Sequence, residues 1–273
     1  MTRSVRRTRR MLQLAGAGAA ALMALSACSS SDGDSSPKSG TSTAASPKLS
    51  GTVTVFAAAS LKESFTTLGK EFEQQHPGTK VTFNFGGSDT LAASITGGAP
   101  ADVFAAASPK TMAIVTGKKD AVGTPATFVR NQLEIATLPG NPDKVSSLKD
   151  LTKPGLKVVL CDKTVPCGAA AQKALDASEL KLTPASYEQD VKSALTKVEL
   201  KEADAAVVYK TDVKSAGGKV EGVEFPESAQ AINDYPIVLL KNAPNAETAK
   251  AFIALVQSAD GQKVLSRAGF LKP

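Results

Sequence analysis

From residue 49 onward the chain alternates short branched or aromatic runs with longer stretches in which apolar side chains recur every three or four positions. Residues 52–56, 81–85, 102–106, 132–137, 156–160, 205–209 and 237–240 read as strands. Residues 61–75 carry apolar side chains at 61, 65, 68 and 72, a helical spacing. Further helices are expected near 90–95, from Pro109, and over 169–176, 188–198, 246–258 and 262–267. Repeated strand–helix alternation predicts an α/β protein with mostly parallel sheets flanked by helices. The stretch from Leu49 to Pro273 exceeds the usual size of one hydrophobic core, so two lobes are expected.

The pattern changes before residue 49. Arginines at 3, 6, 7, 9 and 10 precede an apolar run from Leu12 to Leu25 and then Ser26-Ala27-Cys28. A basic start, a short apolar middle and small residues before a cut are the marks of a signal peptide, here residues 1–27. The apolar run falls short of the ~20 residues that span a bilayer as a helix. Leu25-Ser26-Ala27-Cys28 resembles the bacterial lipobox, which implies lipidation at Cys28, and Thr8-Arg9-Arg10 resembles a twin-arginine signal. Residues 29–48 hold eight serines and no aromatic or branched aliphatic side chain. Too little apolar surface is available there to offset the entropy of ordering, so residues 28–50 read as a lipidated cysteine and a tether. As a flexible coil the tether spans on the order of 25 Å.

Charge supports this division. The chain of 273 residues carries a formal charge of +6, which taken whole would invite nucleic acid or an anionic membrane. The five arginines of the leader account for most of it: from Cys28 onward there remain 27 basic and 26 acidic side chains. Only Arg130 and Arg267 are arginine there, and the aromatic residues Tyr187, Tyr209 and Tyr235 lie on no basic stripe. Nucleic-acid binding is therefore not expected. Enzyme chemistry fares no better. His76 is the only histidine and reads as a helix-terminal residue before Pro77-Gly78. No Ser/His/Asp set or metal cluster can be assembled around it.

Four junctions place a small or polar residue between a strand and a helix: Ala58-Ala59-Ser60, Gly86-Gly87-Ser88, Ala107-Ser108-Pro109 and Val165-Pro166-Cys167-Gly168. Each offers free backbone N–H groups at the carboxyl end of a strand, where open α/β sheets bind ligands and helix dipoles favour anions. Local capping is the other reading. Ser60 and Glu63 have the spacing of a capping box, and Ser88 and Ser108 fit as N-caps.

The run Val53-Thr54-Val55-Phe56-Ala57-Ala58-Ala59-Ser60-Leu61 resembles the first strand and ligand loop of periplasmic molybdate-binding proteins. So do Phe85-Gly86-Gly87-Ser88-Asp89-Thr90-Leu91, Gly98-Ala99-Pro100-Ala101-Asp102-Val103-Phe104 and Val165-Pro166-Cys167-Gly168. Asp190-Val191, Val207-Val208-Tyr209, Phe225-Pro226-Glu227, Tyr235-Pro236-Ile237 and Gly269-Phe270 follow in the family's order, so the likeness covers about residues 51–271. The resemblance implies a two-lobed clamp of the periplasmic binding protein type (type II), the chain crossing twice between lobes. Lobe one would comprise 51–131 plus 234–273, and lobe two 132–233. It implies a monomeric binding protein rather than an enzyme, without cofactor or cation site, lipid-anchored through Cys28 at the outer face of the cytoplasmic membrane. Such a protein delivers molybdate or tungstate to an importer made of a permease and its ATPase subunit.

Carried onto this sequence, the oxyanion site would use Ser60 and Ser88 through hydroxyl and N–H, the N–H groups of Cys167 and Val191, and the hydroxyl of Tyr209. The family pattern usually has Ala where Cys167 stands. A backbone donor does not depend on its side chain, but the loop is altered if Cys161 and Cys167 are bridged. Their separation allows a disulfide, while a redox or metal pair is the alternative. Molybdate near neutral pH is a dianion whose oxygens only accept hydrogen bonds. Six or seven charge-assisted bonds at ~1.5–3 kcal/mol each can outweigh desolvation without Arg or Lys in contact. Phosphate, which carries a proton, is disfavoured by a donor-only site, whereas sulfate would have to be excluded by size. The competing functions are a binding protein for sulfate, another oxyanion or a chelated metal species, and a non-transport surface lipoprotein or hydrolase.

Overall fold

The computed structural model describes residues 49–273. The expected signal peptide, the lipidated Cys28 and nearly all of the tether lie outside the described residues. Strand β1 (Gly51–Ala58) passes through a 3-10 turn at Ala59–Leu61 into α1 (Lys62–Gln75). There follow β2 (Thr79–Gly86), α2 (Ser88–Thr96), β3 (Val103–Ala105), α3 (Pro109–Gly117) and β4 (Ala121–Asn131). The chain then enters the second lobe as β5 (Leu133–Thr137), β6 (Val158–Cys161), α4 (Pro166–Ala177), β7 (Ser186–Glu188) and α5 (Val191–Glu199). It continues as β8 (Ala205–Tyr209), α6 (Lys210–Ser215) and β9 (Glu221–Val223), then returns as β10 (Asn233–Leu240), α7 (Ala246–Gln257) and α8 (Ala259–Ala268).

The strands form two five-stranded sheets, ordered β2-β1-β3-β10-β4 and β7-β6-β8-β5-β9. In the first, β10 alone runs against its neighbours, and in the second β5 alone does. Each sheet is therefore mixed, a refinement of the expected mostly parallel arrangement, and both share one topology. The reversal has a simple origin. Strands whose carboxyl ends carry loops to the cleft all point toward it. A strand that enters a lobe from the cleft, as β5 and β10 do, has to run away from it.

The first sheet is covered on both faces. Val53, Val55 and Ala57 of β1 pack with Phe65, Leu68 and Phe72 of α1 and Phe252 of α7. The alternate residue Phe56 faces Leu91, Ile95, Met112 and Val115 of α2 and α3. Phe252 meets Phe65 and Phe72 edge-on at centroid distances of 6.0 and 5.6 Å, a favoured aromatic geometry. The second sheet is buried in one cluster that also includes Ala59 of the first lobe.

Four elements have no counterpart in the periodicity: β4, β7, α6 and β9. Strand β4 contains Gly123 and Pro125, which speak against a strand, yet it lies at a sheet edge with irregular pairing to β10. Proline is tolerated there because an edge strand need not donate on both sides. The helix expected from 188 begins instead at Val191, because Asp190 accepts from the N–H groups of Lys192 and Ser193 as its N-cap.

Candidate functional site

The carboxyl ends of β1, β2 and β3 face those of β6 and β8, and the turns after them enclose a narrow cavity of about 10 Å³. Its lining includes Ser60, Gly87, Ser88 and Ala107 from the first lobe, and Pro166, Cys167, Asp190, Val191 and Tyr209 from the second. The structure thus brings together all five residues singled out from the sequence, and all are buried. Ser108 is not among the lining residues; it is a plain N-cap whose hydroxyl accepts from the Thr111 N–H.

Backbone donors converge because four helical segments start here. Ser60 lies in the 3-10 turn after β1, Ser88 opens α2, Cys167 is the second residue of α4, and Val191 opens α5. N–H groups in a first turn have no intrahelical partner. At α5 the Asp190 carboxylate satisfies the next two N–H groups and leaves that of Val191. Asp190 is the one acidic residue lining the cavity, and its carboxylate also accepts from the Ser193 hydroxyl. Its oxygens are therefore turned toward its own helix.

The capping readings of the first two serines are corrected by the structure. Ser60 makes no capping box: its Oγ lies 2.9 Å from the Tyr235 hydroxyl, and Glu63 pairs with Lys192. Ser88 is not a cap either, since Gly87 holds that position, and its Oγ accepts from the Ala107 N–H at 3.0 Å. Long-range partners outcompete local ones at both positions.

Tyr209 ends β8 with its ring edge-on to Tyr235, 6.1 Å between centroids. Its hydroxyl is buried and has no hydrogen-bond partner. Such an orphan costs free energy unless a ligand pairs with it. Burial pushes its phenol well above the ordinary value, with the nearby Tyr235 and Asp212 adding to the effect, so it stays protonated and able to donate. Asp212, also fully buried, accepts from the Tyr209 N–H at 3.1 Å.

Cys161 and Cys167 are joined as a disulfide. It closes the loop between β6 and α4, where the Val165 N–H donates to Asp162 O and the Thr164 N–H donates to the Asp162 carboxylate. Gly168 is required beside it, because any Cβ there would run into the carbonyls of Cys161 and Asp162. The cysteine side chains support the loop, and Cys167 itself lines the cavity.

Contacts bridge the lobes around this site. Lys192 Nζ lies 3.0 Å from Glu63 Oε2, Asn131 Nδ2 donates to Thr211 Oγ1 at 2.8 Å, and Thr164 Oγ1 donates to Asp89 Oδ2 at 3.5 Å; Asn233 Nδ2, on β10, donates to Ala107 O at 2.8 Å and to Pro166 O across the cleft at 3.5 Å. Of these residues, Glu63, Ala107 and Pro166 stood in the junctions read from the sequence, and Asp89, with Tyr235 beside them, in matching motifs, while Lys192, Asn131, Thr164, Thr211 and Asn233 carried no signal. Among the described residues no cluster of three or more His, Cys, Asp or Glu could hold a metal ion, and no helix is long and apolar enough to cross a membrane.

Two similar lobes, closing helix N-termini around a small cavity, define a solute-binding protein of the periplasmic type. The chain belongs to the bacterial extracellular solute-binding protein family, whose model matches residues 53–271. It is 42% identical over 249 residues to the molybdate-binding protein ModA of Mycobacterium bovis, covering 91% of this chain and 93% of that protein. The periplasmic molybdate-binding protein of Azotobacter vinelandii superposes with a TM-score of 0.71 at 21% identity, covering 81% of this chain and 99% of that one. The sulfate-binding protein SubI of Mycobacterium tuberculosis gives 0.68 at 17% identity, covering 80% and 86%. At these identities the two structures speak for the fold alone.

Proposed function

We propose that this protein captures molybdate or tungstate between its two lobes and hands it to an importer composed of a permease and an ATPase subunit. Lobe one is taken as residues 51–131 plus 234–273 and lobe two as 132–233. Ser60 and Ser88 donate through hydroxyl and N–H, Cys167 and Val191 through N–H, and Tyr209 through its phenol. The observation that carries this reading is the buried, unpartnered Tyr209 hydroxyl on a cavity otherwise ringed by first-turn N–H groups. A tetrahedral dianion supplies the acceptors that this set lacks. The 42% identity to a molybdate-binding protein across nearly the full chain supports the same ligand.

Export under the leader of residues 1–27, lipidation at Cys28 and attachment by the tether at the outer face of the cytoplasmic membrane belong to the same proposal. So do the monomeric state, the absence of a cofactor and the absence of catalysis: the protein binds and releases its ligand unchanged. Calorimetry with molybdate, tungstate, sulfate and phosphate tests the reading. Micromolar or tighter binding of the first two and none of the others is expected. Equal affinity for sulfate would refute the selectivity, and the shared fold with a sulfate-binding protein makes that the informative comparison.

A further inference from the structure

Ser60 is a hydroxyl, and a hydroxyl can accept as readily as donate. A site that rejects protonated oxyanions needs something to fix its direction. Two residues outside the cavity do so. The Gln132 N–H donates to Asn131 Oδ1 at 3.0 Å, which orients the Asn131 amide. Its Nδ2 is then the donor to Thr211 Oγ1 at 2.8 Å and to the Tyr235 hydroxyl at 3.4 Å. With the Tyr235 oxygen receiving from Asn131, Ser60 Oγ lies 2.9 Å away, within reach as the acceptor of the Tyr235 hydrogen. Asn131, Tyr235 and Ser60 are all buried, so water does not compete with this chain. Burial pushes the Tyr235 phenol upward, so the hydrogen stays on it.

We propose that Tyr235 and Asn131 are positioning residues in which the Tyr235 hydrogen occupies one of the two lone pairs of Ser60 Oγ, favouring donation of the Ser60 hydroxyl into the cavity and biasing the site against oxyanions that carry a proton. The proposal rests on the oxyanion reading above. Ser88 has the parallel arrangement, with the Ala107 N–H on its oxygen. The relay at Ser60 differs in running through side chains that can be altered one atom at a time. Asn131 ends β4 where the chain leaves the first lobe, Tyr235 lies on β10 after its return, and Thr211 lies on α6 of the second lobe. The direction of the Ser60 hydroxyl is thereby set by residues at both crossings.

The test is Tyr235→Phe, which keeps the ring against Tyr209 and Phe270 and removes only the hydroxyl. Affinities for molybdate, sulfate and phosphate are measured by calorimetry, weak ligands by competition. Freed from Tyr235, Ser60 Oγ regains a lone pair for a protonated oxygen. About a tenfold fall in the molybdate-to-phosphate affinity ratio is expected, with the molybdate-to-sulfate ratio unchanged, because sulfate is also fully deprotonated. Asn131→Ala, which lets Tyr235 accept from Ser60, is expected to shift the phosphate ratio the same way. In a Ser60→Ala background Tyr235→Phe should move neither ratio. An unchanged phosphate ratio in both variants, or the same shift without the Ser60 hydroxyl, overturns the proposal. If the parent prefers sulfate to molybdate, the ligand assignment fails, and the sulfate-to-phosphate ratio still decides the relay.

Discussion

Gly87 is where lobe closure can be tested without touching a ligand donor. A Cβ built on Gly87 would lie 2.5 Å from the carbonyl oxygen of Gln189 in the other lobe, against an ordinary contact of about 3.4 Å or more. The second close atom, Asp89 Oδ1 at 2.7 Å, ends a side chain that can rotate away. The backbone at Gly87 is ordinary extended chain, φ −61° and ψ 132°, so alanine is not strained there. Gly87→Ala should therefore leave the open protein intact, or stabilise it by about 0.4–1 kcal/mol through the unfolded chain.

Closure is another matter. Relieving the contact requires the two segments to stay roughly 1 Å further apart, and Gln189 is two residues from the Val191 donor. A hydrogen bond of ~2.9 Å stretched by that amount passes out of bonding range. Loss of one charge-assisted bond at ~1.5–3 kcal/mol weakens binding by about one to two orders of magnitude, and more if the Cys167 N–H is displaced as well. Calorimetry gives the affinity, thermal unfolding without ligand gives the stability, and small-angle scattering gives the compaction on adding molybdate. Binding within about threefold of the parent, with normal compaction, would refute the steric role.

Tyr209→Phe should weaken molybdate binding by about one to two orders of magnitude while leaving the ligand-free protein as stable or more so, because it removes an unpartnered buried hydroxyl; calorimetry and unfolding curves check both. Ser88→Ala should weaken binding similarly but also cost about 1–3 kcal/mol of stability, since the Ala107 N–H loses its acceptor. Removing the Cys161–Cys167 bridge should cost about 2 kcal/mol by loop-closure entropy and loosen the Cys167 donor, seen as a lower denaturation midpoint and weaker binding in the double serine variant. Burial pushes the Asp212 carboxyl up to about 6, opposed by Lys192 and the Tyr209 N–H. Such a group stabilises the fold fully below its ordinary value near 3.8, and that contribution, about 3 kcal/mol, is lost as pH rises through about 6. Unfolding free energies between pH 4 and 7 should therefore fall less steeply in Asp212→Asn; identical slopes would refute this. Labelled lipid should be incorporated by the parent and not by Cys28→Ala.

The residues that announced themselves in the sequence did so by repetition over short range. The continuous apolar run at 205–209 and the three-to-four spacing in 61–75 are local patterns, and β8 and α1 follow them closely. Strand β4 escaped because its Gly123 and Pro125 are permitted only by its place at a sheet edge, a property of the assembled sheet. The capping rule failed at Ser60 for a related reason. Glu63 is near in sequence, but Tyr235, 175 positions away, reaches the hydroxyl first. The five cavity residues were picked out through resemblance to a family, not through spacing. Nothing local joins Asn131 to Thr211, or Gly87 to Gln189, because those pairs exist only once two lobes meet, and Asn131 reaches Tyr235 only through the pairing of β4 with β10.

The electrostatics of that meeting explain how a nearly neutral body can hold a dianion and still release it. Lys192, in the first turn of α5, follows the cavity residue Val191 in sequence. Its Nζ is held between Glu63 Oε2 at 3.0 Å and Asp212 Oδ1 at 3.2 Å, and donates to Ser215 Oγ. The charge of Lys192 is thus matched by two carboxylates, leaving N–H and O–H dipoles as the donors of the proposed site. Dipoles lose strength quickly with distance, so their stabilisation exists only when both lobes are in place. The bridge from Lys192 to Glu63 does not replace it. Glu63 is half exposed, and exposed pairs contribute about 0–1 kcal/mol. Closure without ligand is therefore held weakly, and the ligand shifts the equilibrium by the bonds it makes to both lobes at once. Separation of the lobes by about 1 Å is enough to surrender those bonds. Loss of the bonds therefore breaks no ion pair at the anion itself.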